Sequence, residues 1–172
     1  MNRTENGFTM IELLVSLGIM ALVAYGASIA MMQIFPVNAR NNAHMTAVNE
    51  VQNAGYWVSR DAQMASNITT NLTPYFLVLS WAGNETTNTS SNYSVTYTTQ
   101  NMTGSNFMKL LRSLSINGGA NRTTLVAQYI DMASTKCAFS GGVFTLNVTA
   151  NVSSRYPSGT ETRTYKVTPR PN

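Results

Sequence analysis

The chain has 172 residues, enough for one modest globular domain beside whatever its N-terminus does. Charged residues make up only 10%, with Asn, Thr and Ser filling the gap, so the surface solvates itself with amides and hydroxyls rather than ions. The net charge of +4 is spread over scattered basic residues with no run among them, which excludes a nucleic-acid-binding arm.

The N-terminus reads MNRTENG, a polar leader in which Arg3 and Glu5 cancel. From Phe8 to Phe35 the chain is then apolar but for small hydroxyls, Gln33 and Glu12. A run of about 20 apolar residues spans a bilayer's hydrocarbon core. A secretory signal peptide would have a basic head and an apolar stretch of about 7–15 residues. This run is too long for that, and its leader is the wrong charge. The segment therefore reads as a membrane anchor. Glu12 stands out within it, because an acid in a membrane helix is costly and marks a functional site by default. It lies one helical turn beyond Phe8. A cut after Gly7 would give Phe8 a free α-amine able to neutralise that carboxylate, within a subunit or between neighbours.

The string Gly7-Phe8-Thr9-Met10-Ile11-Glu12-Leu13-Leu14-Val15 resembles the class III signal of bacterial type IV prepilins and secretion pseudopilins. The resemblance implies that a membrane aspartyl peptidase, the prepilin peptidase, cuts after Gly7 and N-methylates Phe8. It also implies that Glu12 pairs with the N-terminus of an adjacent subunit during assembly. Two features depart from the family pattern. Asn6 stands where a basic residue is usual, and no proline falls between Phe8 and Phe35, leaving Gly18 and Gly26 as the weak points before Pro36.

After Pro36 the sequence turns helical again, with Val48, Val51, Gly55, Val58, Ala62 and Ala65 recurring every three or four residues. This predicts a continuation of the same helix, bent or capped at Pro36, to Ser66. The whole would extend about 88 Å at 1.5 Å per residue. Tyr56 and Trp57 are expected to anchor its packing. From Pro74 the period changes to two. YFLVLSWA, YSVTYTT, TTLVAQYI, VFTLNVTA and TRTYKVT read as strands of a sheet with one buried face. FMKLLRSLSI, from Phe107 to Ile116, allows a strand or a short helix. The expected fold is α+β and type IV pilin-like. Residues 1–7 form the leader, 8–35 the transmembrane or filament-core helix, 36–66 its amphipathic continuation and 67–172 an antiparallel β-sheet domain. The segments VNEVQNAGYWVSRDAQMAS, KLLRS and TLVAQYI are also similar, more loosely, to J-type minor pseudopilins of type II secretion systems.

Nothing in the sequence assembles a catalytic centre. His44, the single histidine, has no second ligand at helical spacing, and Glu50, Asp61, Glu85, Asp131 and Glu161 are dispersed. Arg60-Asp61 is expected to cap or solvate the helix end. The lone Cys137 reads as a small core residue. No enzyme, metal or cofactor is expected. Asn-x-Ser/Thr sequons at Asn67, Asn71, Asn84, Asn88, Asn92, Asn101 and Asn121 are candidate glycosylation sites. Those at Asn147 and Asn151 are further matches, and Asn147 lies in a strand and is the weakest. The expected role is structural: a subunit held in the inner membrane, then assembled with copies of itself or other pilin subunits into an extracellular filament or periplasmic pseudopilus. The alternatives are a minor or tip subunit that binds exoprotein, a surface or DNA through the loops 82–91 and 118–122, and a solitary anchored domain. No nucleic acid is required.

Overall fold

The structure, a computed structural model, describes residues 8–72, 75–84, 90–152 and 159–170. One helix, α1 (Met10–Met64), precedes β1 (Asn67–Leu72), β2 (Tyr75–Asn84), β3 (Ser90–Asn101), β4 (Met108–Ile116), β5 (Arg122–Ile130), β6 (Lys136–Ser140), β7 (Val143–Val152) and β8 (Gly159–Val167). Pro36 lies inside α1, where it has no N–H to donate but does not end the helix. The chain forms two units, Met1–Ala39 and Arg40–Asn172. In the first, every described residue is exposed. The second is the α+β body, in which the rest of α1 packs on an antiparallel sheet.

β1 to β5 form an antiparallel meander, each strand pairing with the next. β5 then meets β7 at a single pairing, Ile130 with Ala150. β6 runs along the first half of β7, and β8 pairs with β7 throughout. Residues two apart in a strand face the same side. Thus Leu77 and Leu79, Val95 and Tyr97, and Phe144, Leu146, Val148 and Ala150 all point into one core. The lid of that core is the stripe Ala47, Val51, Ala54, Val58 and Ala62 of α1. Small residues let the helix lie close to the sheet, and two glycines bring it closer. A Cβ on Gly55 would enter the Tyr165 ring, and one on Gly159 would meet the Ala43–His44 backbone.

The period-two runs are all strands, and FMKLLRSLSI resolves as β4. β1 and β6 were not expected. β6 has only five residues, and β1 opens with Asn67 and is largely Thr and Asn, so neither shows a clear apolar alternation. The buried stripe is also shifted: Ala47 and Ala54 lie at its centre, and Val48 is only half-buried. Trp57 packs against the core as expected, but Tyr56 is 59% exposed. One residue along a helix turns the side chain by about 100°, which takes Tyr56 off the packed face. Cys137 is buried, its Sγ 3.5 Å from the Phe76 carbonyl oxygen.

Asp61 does not solvate the helix end. It is 1% exposed. Its carboxylate accepts a hydrogen bond from Tyr97 Oη at 2.6 Å and a bidentate pair from Arg112 Nε and Nη2 at 2.6 and 3.0 Å. The Arg112 guanidinium also lies over the Trp57 ring. The hydrogen bond to Asp61 holds Arg112 above the usual guanidinium range, against the effect of burial. Burial, and then the Asp61 charge, raise the Tyr97 phenol, so it remains a neutral donor. One carboxylate thereby ties α1 to β3 and β4.

A second carboxylate repairs a defect in the sheet. β5 slips register against β4 on both sides of the Leu110–Ala127 pair, and Tyr129 adopts φ 57°. Such bulges take backbone groups out of the ladder. Glu50 Oε2, from α1, accepts the Gln128 N–H at 2.7 Å. Met102 Sδ accepts that of Tyr129 at 3.4 Å. Burial raises the Glu50 pKa, and the Gln128 hydrogen bond only partly offsets it.

Two measurements check these roles. Asp61→Ala strands a buried guanidinium and should cost about 3–5 kcal/mol in denaturant unfolding of the detergent-solubilised protein, whereas replacing the trio together as Asp61→Leu, Tyr97→Phe and Arg112→Met recovers most of it. For Glu50, the raised folded pKa means the folded state holds its proton longer than the unfolded chain does. Its contribution is therefore most favourable below the ordinary value of 4.5 and is lost as pH rises through the raised folded value. Glu50→Gln should flatten that decline, while Glu50→Ala, which orphans the Gln128 amide, should cost about 1–3 kcal/mol at every pH.

Candidate functional site

The site implied by the leader is the start of α1. Gly7 lies outside the described residues. Phe8 is 84% exposed and precedes the first helical residue by two positions. Thr9 occupies the N-cap: its carbonyl accepts the N–H groups of Glu12 at 3.1 Å and Leu13 at 3.2 Å. Glu12 is then the third helical residue and reaches back. Its Oε2 lies 3.5 Å from the Thr9 N–H and 3.4 Å from the Thr9 hydroxyl, both of which donate to it. This is the carboxylate half of a capping box, and the helix dipole also favours an anion in the first turn. Thr9 had no role in the sequence reading, although Thr-x-x-Glu ahead of an apolar run is the signal for it.

The electrostatics follow from composition. Glu12 is the only formally charged side chain from Phe8 to Ala39. Around it the surface is apolar on every side: Ile11, Leu14, Leu17, Met20, Leu22 and Val23 are all more than half exposed. The 18-residue window of highest hydropathy averages 2.1 and has no buried residue, so this segment is long and apolar enough to cross a membrane. Each such side chain moved from water into an apolar setting gains about 1.5–3 kcal/mol.

The remaining candidates are scattered by the fold. His44 is exposed on α1. No group of three His, Cys, Asp or Glu side chains suited to a metal occurs among the described residues. Asn88 and the side chains of Asn71 and Asn84 lie outside the described residues. Asn67, Asn92, Asn101 and Asn121 are exposed, and Asn147 has a buried side-chain oxygen without a hydrogen-bond partner among the described residues. An open groove lined by Gln52, Tyr56, Ser59, Arg60 and Arg163 holds no pairing of nucleophile and base.

Residues 2–28 match the family described as the prokaryotic N-terminal methylation motif, the signature carried by type IV pilins and pseudopilins. No curated protein and no solved structure gives a significant match to the chain. The cap itself is open to measurement. Thr9→Val removes the hydroxyl that donates to Glu12 and should raise amide exchange at Glu12 and Leu13 in micelles by roughly fivefold, the equivalent of losing about 1 kcal/mol, while exchange in Ala47–Ala62 stays unchanged.

Proposed function

We propose that this protein, which carries the pilin and pseudopilin methylation signature, is a structural subunit of a type IV pilus-like filament. Prepilin peptidase cuts after Gly7 and methylates Phe8. The mature subunit stays anchored in the inner membrane through the residues from Phe8 onward until it is assembled with other pilin subunits. The observation that carries this reading is Glu12, the single charged side chain from Phe8 to Ala39, at the start of a helix whose apolar side chains over that stretch are exposed on every side.

The chemistry runs as follows. In the membrane a lone carboxylate costs a few kcal/mol unless it is compensated. The first-turn position and the Thr9 N–H supply part of that compensation. Cleavage supplies the rest, because it places a new α-ammonium four residues before the acid. Pairing Glu12 with the Phe8 amine of a neighbour cancels both charges and fixes the axial offset between two helices. Once subunits leave the lipid, mutual burial of the apolar side chains supplies cohesion, and the low dielectric around the pair strengthens it.

A second reading is a minor subunit of J type. The three segments that carry that similarity, 48–66, 109–113 and 124–130, come together in the fold. Glu50 binds the Gln128 amide and Asp61 binds Arg112. Such a subunit would sit at low copy and present its loops to an exported protein or a surface. Abundance in sheared filaments separates the two.

The mechanism is tested by Glu12→Val. Mass spectrometry should still find a methylated Phe8 N-terminus, while the sheared filament fraction falls to background. Normal filament yield from that variant would rule out the pairing.

A further inference from the structure

From Asn67 to Asn172 the chain holds 12 asparagines, nine of which are followed two residues on by Ser or Thr. Ser and Thr occupy 31 of these 106 positions, so composition accounts for about three or four of the nine. Strand alternation accounts for others, because residues i and i+2 share a face. Asn147 and Asn151 are of that kind. They lie within β7, and their side-chain oxygens are buried. A transferase meets such half-buried, strand-bound asparagines less readily than exposed ones.

Asn67 and Asn92 share that strand setting, but they and Asn121 are exposed. They come from separate stretches of chain, at the start of β1, in β3 and in the turn before β5, yet the register brings them to one end of the sheet. Asn67 is opposite Ser80, and Asn92 is opposite Ala82. Both alternate with the core positions Leu79 and Val95, so they lie on the face turned away from α1. The turn that carries Asn121 is fastened to the same place. Asn117 donates its N–H to the Asn92 carbonyl at 2.8 Å, and its Oδ1 accepts the Asn92 N–H at 2.8 Å. The hydroxyl of the third sequon is also on that outer face, where Thr123 Oγ1 lies 2.9 Å from Ser113 Oγ.

We infer that this end of the sheet is an N-glycosylation surface with Asn67, Asn92 and Asn121 as acceptors. The donor class is a glycan activated as a lipid-linked pyrophosphate. The amide Nδ2 bonds to the anomeric carbon and the sugar–phosphate C–O bond breaks. The lipid pyrophosphate leaves, and one amide proton passes to a base of the transferase. The low charge of the surface suits this, since a glycan there displaces no ion pair of the described body. The inference rests on the proposed function only in requiring that this body be carried across the membrane.

The test is glycopeptide sequencing of the full protein purified from its native cells, with fragmentation that preserves the sugar linkage. Peptides containing Asn67, Asn92 and Asn121 should carry a glycan on the asparagine, and those containing Asn147 and Asn151 should have the unmodified mass. Thr123→Ala should remove the glycan from Asn121 alone, with an unchanged melting temperature showing that the fold persists. Unmodified masses at all three sites would overturn the inference, as would sugar only on hydroxyls or only on Asn147 and Asn151. The N-terminal peptide of the same digest reports Phe8 methylation separately, so failure of the glycan surface and failure of the pilin pathway give different spectra.

Discussion

Between Met10 and Val37, α1 carries large apolar side chains around its whole circumference, and none of them is buried. A soluble chain would hide such a surface against itself. This one leaves it exposed along a segment long and apolar enough to cross a membrane. That constraint explains why the segment has a single charge and why the charge sits in the first turn. There it gains from the helix dipole and from the Thr9 N–H. On the proposed reading, cleavage after Gly7 would add a cation able to answer Glu12.

The rest of α1 solves the opposite problem. From Ala43 onward it presents Ala, Val and Gly to the sheet, and the charged residues other than Glu50 and Asp61 turn outward. Small side chains contribute little area each, so close approach must supply the contact. Gly55 under the Tyr165 ring and Gly159 against the Ala43–His44 backbone provide it. Two carboxylates then fix the helix to the sheet at particular points, Asp61 on Arg112 and Tyr97, and Glu50 on the bulged edge of β5. An apolar stripe of small residues slides easily. Buried ion pairs and charge-assisted hydrogen bonds specify one register at some cost in stability.

The polar outer face follows the same economy. With so few charges, its strands are solvated by Thr, Ser and Asn, and inter-strand hydroxyl contacts such as Ser113–Thr123 and Thr149–Thr162 take the place of salt bridges. The asparagines of β7 are half-buried with their side-chain oxygens enclosed, while Asn67, Asn92 and Asn121 remain exposed. The same three-residue pattern thus occurs in two physical settings that the pattern itself does not distinguish.

Much of this chain was legible in its sequence, because the informative signals are local. A long apolar run, one acid at a fixed distance from Gly7, and a change of period from 3.6 to 2 each depend only on neighbours along the chain. They determine the anchor, the candidate pairing residue and the α+β order of elements. Tertiary structure alone decided the rest. Arg60 and Asp61 are adjacent, yet Arg60 is exposed and Asp61 is the buried centre of a network, because successive helix positions point about 100° apart and the sheet covers only one side. Ala47 and Ala54 outrank Val48 in the stripe for the same reason. β1 and β6 lack apolar alternation, and it is the backbone pairing supplied by β2 and β7 that makes them strands. That Glu50 completes a bulge 78 residues away is set by the packing of α1 on the sheet, and no local pattern encodes it.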